Sequence, residues 1–352
     1  MIFDLSPQAQ VRNTAIIRAK GLTTLESKPR PARMLATMQP TRDDQIQQRR
    51  MSVGGAGIAP LKAIGASPPI YTAKMRYDET FIELVQVAEF APISERLRRL
   101  LKSDDADLRL SAGMSITDLA ARMFLRNENR SDLMVMTAIL TGRLDIEFED
   151  EPGQGFPVIY DYDPTHMING SDWNNPSTGV PLTDLDAAQQ LLADDAGEYG
   201  IHFWMNSHTW KNVVWSDQAK DLLTGSERGQ YIPQRTDMNL RLNDPERIVW
   251  HVEDGSWRDE GEMGRGFSSV NKWIPDDVVI MTTSDPFEGE PIVEMFDGQV
   301  EVRTGWDTLQ LRPGQQSWAR IDDSDTYQWH QASTRMPRIN HPECIAVIDV
   351  GP

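Results

Sequence analysis

Residues 70–87 read IYTAKMRYDETFIELVQV, and their side chains alternate in polarity. Tyr71 and Met75 fall on one side of this pattern, and Lys74 and Arg76 fall on the other. A period of two over so many positions predicts one long, half-exposed strand. The core of a single domain does not cover the far end of such a strand, so we expect it to meet a partner surface.

A glycine-rich segment, RRMSVGGAGIAPLKAIGASPP at residues 49–69, precedes this strand. Its G-x-G pair, Gly55 and Gly57, raises the question of a phosphate-binding loop. A dinucleotide fingerprint requires a third glycine and a preceding buried strand. This chain has Pro60 at the third position and the polar run TRDDQIQQRR upstream. We therefore interpret the segment as a long basic loop, and the strand at residues 70–87 that follows it as the outgoing leg of an extended hairpin.

The formal net charge of −18 is unevenly distributed along the chain. Residues 1–76 contain 12 Lys and Arg against 4 Asp and Glu, whereas residues 77–352 contain 23 against 49. A basic arm on an acidic body has three ordinary interpretations: it binds nucleic acid, folds back on its own body, or lies on the acidic body of a neighbouring copy. The arm lacks the interleaved aromatic residues and the modules of nucleic-acid-binding proteins, which weakens the first interpretation.

The composition indicates a folded protein with one large or two ordinary domains. The 352 residues are 39% hydrophobic and include 10 Trp, enough for a substantial core. A single cysteine, Cys344, excludes a disulfide framework. No apolar run has the length of a signal peptide or of a membrane span. We expect a soluble intracellular protein in which Cys344 is a buried, inert thiol.

Two helices are predicted between residues 91 and 142. Residues 91–103 form a short helix with Pro92 in its first turn. The longer helix begins at Ser115, the first residue of an S-x-x-D capping box, and ends at Gly142. At about 1.5 Å per residue, this helix is a rod of roughly 40 Å on which other elements are built.

The rest of the chain mixes strands and helices, and the predicted fold class is α+β. A β-hairpin is predicted around the turn EPGQG, followed by the helix LTDLDAAQQLLADD, capped by Thr183 or Asp184. The strand IHFWMNS and the helix HTWKNVVWSDQAKDLL come next, which indicates a second, mixed domain from about residue 184. Late strands are predicted at 278–283, 292–296, 299–303 and in the buried terminal run ECIAVIDV.

The chain offers few candidates for catalysis. In DYDPTH, the side chains of Asp161, Asp163 and His166 could hold a divalent ion, although a turn after a strand explains the same residues. His202 and His208 lack the i, i+4 spacing of metalloprotease ligands, which favours a structural role. No nucleophile has an evident base. We therefore predict that the protein is not an enzyme and has no cofactor.

A basic arm, a loop-and-strand extension, a long helix, a hairpin and a mixed second domain follow one another in this chain. Local segments add to this order: IYTAKMRYDETFIEL, MSITDLAARMFLRNENRSDLMVMTAILTGRLDIEFED, INGSDWNNPSTGVPLTDLDAAQQLL, NKWIPDDVVIM and PRINHPECIAVIDV. Together they resemble the major capsid protein of tailed bacteriophages, the Hong Kong ninety-seven fold, and within it the lambda-like family. The segments are similar to that family's extended loop, spine helix and hairpin, tryptophan loop, axial-domain strand and terminal strand.

The resemblance implies a division of the chain into five parts. They are an N-terminal arm (1–35), an extended loop hairpin (36–80), a peripheral domain (81–183) with a spine helix at about 115–141, an axial domain (184–334), and a C-terminal return to the peripheral domain (335–352).

The resemblance also implies a structural shell protein that forms the hexamers and pentamers of an icosahedral virion. Such a shell, assembled in the bacterial cytoplasm, encloses double-stranded DNA without recognising its sequence. The expected partners are further copies of the chain, a scaffolding protein, a portal protein and a decoration or cement protein. In this family the extended loop crosses an adjacent subunit, so intersubunit contacts are expected at Arg49, Arg50, Gly54, Gly55, Gly57, Lys62, Lys74 and Arg76.

Two alternatives stay open at this stage. An encapsulin-like nanocompartment shell has the same fold and contains no phage genome. A metal-dependent hydrolase would use Asp161, Asp163 and His166, and it would remain a small oligomer rather than form very large particles.

Overall fold

The computed structural model describes most of the chain. The described residues are 15–17, 19–21, 30–43, 45–53, 75–147, 155–221, 234–258, 270–287, 289–304, 308–321 and 327–351. They form both helices and strands, in agreement with the predicted α+β class.

The described residues contain more strands than helices, with the following bounds. The named helices are α1 (Pro31–Leu35), α2 (Glu95–Leu101), α3 (Ala106–Thr141), α4 (Pro181–Asp195), α5 (Ser207–Trp215), α6 (Asp217–Asp221) and α7 (Arg235–Asn239). The strands in the first half of the chain are β1 (Ala36–Pro40), β2 (Gln45–Val53), β3 (Met75–Glu83), β4 (Val85–Pro92), β5 (Arg143–Glu147), β6 (Gly155–Ile159), β7 (Met167–Asn169) and β8 (His202–Met205). The later strands are β9 (Val249–Val252), β10 (Ser256–Arg258), β11 (Val270–Lys272), β12 (Val278–Thr282), β13 (Val293–Asp297), β14 (Gln299–Thr304), β15 (Thr308–Pro313), β16 (Gln316–Ile321), β17 (Tyr327–Ile339) and β18 (Ile345–Asp349).

Two five-stranded sheets organise these elements. Sheet I contains β1, β13, β17 and β16 in that order, with β4 also paired to β17. Sheet II has the order β7-β18-β12-β8-β9. The helix α3 packs against β17 and β4 of sheet I, and α4 packs against β18 of sheet II. The hairpin predicted after the long helix is confirmed as β5 and β6.

The long helix α3 has 36 residues, about 54 Å at 1.5 Å per residue. It begins at Ala106, nine residues before the predicted start, because the Asp105 carboxylate caps it by accepting from the backbone N–H of Asp107. Ser115 lies inside the helix and donates its hydroxyl to a backbone carbonyl one turn earlier. The first turns were missed because Leu108 and Leu110 are exposed and break the apolar period. The predicted end at Gly142 is confirmed, with φ of 64°.

The single strand predicted over residues 70–87 is two strands in the described part. β3 pairs with β2, whereas β4 pairs with β17, and the chain changes partner at Leu84. β4 continues to Pro92, so this proline does not belong to the first turn of a helix. The helix α2 instead starts after Ser94, whose hydroxyl accepts from the N–H of Leu97. Tertiary pairing with β17 therefore extends the strand over residues that local signals assign to a helix.

Two helix assignments in the second half also differ from prediction. α4 starts at Pro181, and the predicted cap Asp184 instead accepts hydrogen bonds from the Ser171 hydroxyl and the Trp173 indole N–H. The predicted helix from residue 208 to 223 is divided at Ser216, which has an extended backbone (ψ 147°). The break places the Ser216 hydroxyl where it accepts from the N–H of Ala219 in α6. No helix formed by the described residues is both long and apolar enough to cross a membrane.

The domain boundaries expected from the sequence stay predictions, but strand pairing bears on two of them. β17 runs unbroken across residue 334, where the axial domain was expected to end. The terminal strand β18, expected to return to the peripheral domain, pairs with β7 of the range expected for that domain and with β12 of the range expected for the axial domain. Residues 345–348 are all buried, and an inner sheet position covers both faces of such an apolar strand.

Candidate intersubunit surfaces

β2 and β3 form the described part of the extended hairpin, with nine residues in each strand. At its base, Ile46 and Ile82 are opposite each other and both are buried in the central hydrophobic core. The next side chain along β3, Phe81, is 62% exposed. From Ile46 to Val53 the strands extend roughly 24 Å at about 3.4 Å per residue. The hairpin is thus anchored in the core at this base.

Three of the eight predicted contact residues lie in these strands. Arg49 is paired in register with Glu79. Arg50 is paired with Asp78, and Arg76 belongs to β3. The other predicted residues lie outside the described part of the chain: Gly54, Gly55, Gly57, Lys62 and Lys74. Each of the two adjacent arginines therefore has an acidic residue opposite it in its own hairpin, and the intersubunit role of all eight residues stays a prediction.

The described residues that precede β1 fold back on the body of the same chain. Residues 15–17 and 19–21 are helical. Ile17 is fully buried in a hydrophobic cluster that includes Ile116 and Phe124 of α3. Lys20 forms an ion pair with Asp118 of the same helix. Of the three interpretations of the arm, folding back therefore holds for these residues and for α1, which also contacts α3.

A network of ion pairs whose carboxylates are buried links α1 to α3. The Arg30 guanidinium lies 2.5 Å from the Asp132 carboxylate. Arg33 pairs with Glu128 and also lies 3.5 Å from Asp132. The side chains of Glu128 and Asp132 are only 5% and 7% exposed. Charges at this depth are stable only when they are paired and hydrogen-bonded, and here each carboxylate has a guanidinium partner.

Arg335 of β17 extends this network to sheet I. Its guanidinium lies 2.7 Å from Glu128 and 3.0 Å from Asp297, the last residue of β13. Three arginines thus meet three carboxylates, which balances the formal charge. Burial lowers the pKa of Arg33 from its ordinary value, the Asp132 carboxylate opposes that shift, and the neighbouring arginines add to it. We call these six residues the charge cluster: Arg30, Arg33, Glu128, Asp132, Asp297 and Arg335.

The charge cluster was not predicted from the sequence. One signal was present, because Glu128 and Asp132 lie one turn apart inside a helix whose apolar period predicts burial. Their partners lie between 95 and 207 positions away along the chain. Local periodicity carries no information about which distant residue neutralises a buried charge.

The residues of the metal alternative form a turn. The His166 ring is buried, with Nδ1 2.8 Å from a backbone carbonyl of β18 and Nε2 2.8 Å from the Asp195 carboxylate. The Asp163 carboxylate accepts hydrogen bonds from the backbone N–H and the hydroxyl of Thr165. Asp161 has a positive φ of 49°, which suits a turn. Across the described ranges no group of three or more His, Cys, Asp or Glu side chains is placed to hold a metal ion, so the geometry does not support this alternative.

A cavity of about 240 Å³ lies where α1, β8, β9, β12 and β18 meet. On its wall, His202 Nδ1 lies 3.1 Å from His251 Nε2, and the His251 ring stacks on Trp204 with centroids 3.6 Å apart. Burial lowers the pKa of His251 to about 4 and also lowers the pKa of His202. Both rings are therefore neutral near pH 7 and share a hydrogen bond, which fits the structural role expected of His202.

Comparison of the sequence with protein-family models and with curated proteins finds no match. Comparison of the structure with solved structures finds similar proteins. A candidate capsid protein of a prophage from Escherichia coli CFT073 superposes with a TM-score of 0.56 and 12% identity, over 92% of this chain and 93% of that chain. A phage-related protein from Bordetella bronchiseptica RB50 gives a TM-score of 0.49 and 12% identity, over 91% and 92%. The virus-like particle protein from Pyrococcus furiosus gives 0.46 and 13%, over 95% and 98%.

The similarity to the E. coli prophage protein extends over nearly the whole length of both chains. At 12% identity, what the two chains share is the fold. The order of arm, hairpin, long helix, second hairpin and mixed sheet is also the order from which the resemblance was inferred. This chain has the Hong Kong ninety-seven-type fold of phage major capsid proteins.

Proposed function

We propose that this protein is the subunit of a self-assembling capsid shell. The observation that carries the proposal is the capsid fold, which covers the chain almost from end to end. The extended hairpin supports it, because its base is fixed in the core by Ile46 and Ile82 while its strands continue roughly 24 Å further. A strand pair of this length finds its cover on another subunit.

At a finer level, the shell is the icosahedral head of a tailed phage, built from hexamers and pentamers around double-stranded DNA. The local segments that resemble the lambda-like family support this assignment. The charge distribution supports contact between copies, since the body carries an excess of Asp and Glu and the hairpin region an excess of Lys and Arg. Attraction between unlike parts of neighbouring subunits offsets the repulsion between their bodies.

The partners of such a subunit are other copies of itself, a scaffolding protein during assembly, a portal protein and a decoration or cement protein. The location is the virion, after assembly in the bacterial cytoplasm. The function is structural rather than enzymatic. In support, DYDPTH forms a hydrogen-bonded turn rather than a metal site among the described residues.

The first experiment is to express the chain alone and together with its neighbouring genes, and to size the products by light scattering and negative-stain microscopy. Closed shells or free hexamers of near-megadalton mass are expected. A compact monomer or dimer in every condition contradicts the proposal.

The contents of the particles separate the phage head from the encapsulin-like alternative. Particles purified from cells that express the whole gene neighbourhood are expected to contain nuclease-protected double-stranded DNA. Particles that instead hold a stoichiometric protein cargo and no DNA assign the chain to a nanocompartment.

A further inference from the structure

The middle of α3 is buried on almost every side. Between Ile116 and Ser131, four positions of this helix are exposed, and each lies four residues after the one before. The first is Asp118, and the other three are all arginines. We call these three residues the arginine ridge: Arg122, Arg126 and Arg130.

The ridge keeps a net positive charge. Asp118, at its start, is paired with Lys20. The Arg126 Nε lies 3.1 Å from the Glu89 carboxylate, which balances one of the three charges. Within the described part of the chain, Arg122 and Arg130 have no ion-pair partner. A guanidinium is charged at every physiological pH, so the outward edge of α3 presents at least two uncompensated cations.

We propose that the arginine ridge is a contact surface for the phosphate backbone of duplex DNA. Residues four apart on an α-helix are displaced by about 6 Å along its axis, so the ridge presents three guanidinium groups over about 12 Å. The planar fork of arginine donates two parallel hydrogen bonds to a phosphate, and such contacts need no base sequence. The ridge therefore fits a regularly spaced polyanion rather than a single small ligand.

The composition of the ridge favours DNA over an acidic protein segment. Protein segments bind through buried apolar or aromatic anchors, with charged groups at the rim. No exposed side chain of α3 between residues 117 and 130 is apolar. A surface made only of arginines has no apolar anchor for a peptide. Its guanidinium groups can all donate hydrogen bonds to the phosphate oxygens of a nucleic-acid backbone.

The contact deepens the proposed function and rests on it. The chain as a whole carries a formal charge of −18, which repels DNA at long range. One subunit therefore binds weakly and with strong salt dependence. A shell brings many ridges to the same DNA, and linked weak sites give a large combined affinity. Because each contact is weak and independent of base sequence, the DNA is retained without being fixed at any one segment.

The test compares full-length protein, kept unassembled at low concentration, with two variants of equal charge. The ridge variant is Arg122→Gln/Arg126→Gln/Arg130→Gln. The control variant is Lys211→Gln/Arg241→Gln/Arg247→Gln, which removes three exposed cations from other elements. Binding to a fluorescein-labelled 30-base-pair duplex is followed by anisotropy between 25 and 200 mM NaCl. Negative-stain microscopy of co-expressed protein scores shell formation separately.

The ridge variant is expected to lose about tenfold or more in affinity at 50 mM salt. Its slope of log K against log salt is expected to fall by about 2 to 3, at roughly 0.9 per phosphate contact, while the control variant keeps the wild-type slope. Equal losses in both variants, or no measurable binding by the wild type at 25 mM salt, overturn the inference. Unchanged DNA binding with lost shell formation assigns the ridge to a protein partner. If shells form in every variant, any such failure leaves the proposed function intact.

Discussion

Arg335 of β17 and Glu128 of α3 form an ion pair of 2.7 Å in which each side chain is only 5% exposed. Glu128 also pairs with Arg33, close to the start of the chain, and Arg335 also pairs with Asp297 at the end of β13. One carboxylate thus connects the N-terminal segment, the long helix and sheet I. The charge cluster therefore fixes the positions of these three parts relative to one another.

We expect Glu128→Gln to destabilise the fold by about 3–5 kcal/mol, because it leaves the buried Arg335 guanidinium and the partly exposed Arg33 guanidinium short of a counter-ion. Urea unfolding of the unassembled protein, followed by far-ultraviolet circular dichroism, measures the change. The control is Glu95→Gln, whose partner Arg99 lies 2.6 Å away but is 78% exposed, so the expected loss is below about 1 kcal/mol. Equal effects of the two substitutions contradict the assigned role of burial.

Gly142→Ala is expected to be more destabilising than Gly197→Ala. Both glycines have positive φ, 64° and 79°, so each substitution carries a backbone cost of roughly 1–2 kcal/mol. A Cβ on Gly142 would also lie 2.7 Å from the Tyr162 ring, whereas a Cβ on Gly197 meets nothing within 4 Å. We expect the additional cost at Gly142 to be about 1–3 kcal/mol. Thermal or chemical unfolding of the two variants tests the difference, and equal losses would rule out the steric contribution.

Stability is expected to fall as the pH falls from about 6.5 to about 4. Burial, assisted by Arg320, lowers the pKa of His330 to about 4, and burial lowers that of His251 to about 4. In the unfolded chain these histidines have a pKa near 6.5. Between pH 6.5 and 4 they therefore bind protons in the unfolded chain but not in the folded one, and protonation favours unfolding. Each histidine contributes less than about 1.4 kcal/mol per pH unit, the limit for one proton.

The pH prediction is checked by unfolding His330→Gln and the wild type at several pH values. The His330 ring stacks between Phe90 and Trp318, so the substitution lowers stability at every pH, but the slope between pH 6.5 and 4 becomes shallower. His208→Gln, at an exposed position, serves as the matched control. A slope for His330→Gln equal to that of the wild type would show that this ring does not take part.

Arg49→Glu/Arg50→Glu is expected to reduce particle yield while the subunit stays folded. This substitution also places acidic residues opposite Glu79 and Asp78 in the hairpin, so a second variant is needed. Adding Asp78→Arg/Glu79→Arg restores opposite charges across the strands. We expect yield, counted by negative stain, to stay low in this fourfold variant. Full recovery would mean that the arginines act only inside their own hairpin.

Local signals predicted the elements that local chemistry controls. Gly142 ends the long helix because a left-handed residue suits glycine, and the strands at 278–282, 293–297 and 299–304 follow runs of apolar and β-branched residues. The predicted start of α3 was wrong because the first turns contain leucines on the exposed side of the helix, which break the apolar period. The continuous strand through Leu84 was wrong because alternation is the same whether a strand pairs with β2 or with β17.

The amino-acid sequence by itself determined the α+β class, the long helix with its C-terminal stop, the alternating pattern of the segment that forms β3, and the uneven distribution of charge. These features depend on neighbours within a few residues, or on composition. Only the tertiary structure decided that β18 joins sheet II, that the N-terminal segment packs on α3, and that Arg30, Arg33 and Arg335 neutralise Glu128, Asp132 and Asp297. Those choices depend on residues up to 207 positions apart, whose proximity is set by packing rather than by any local pattern.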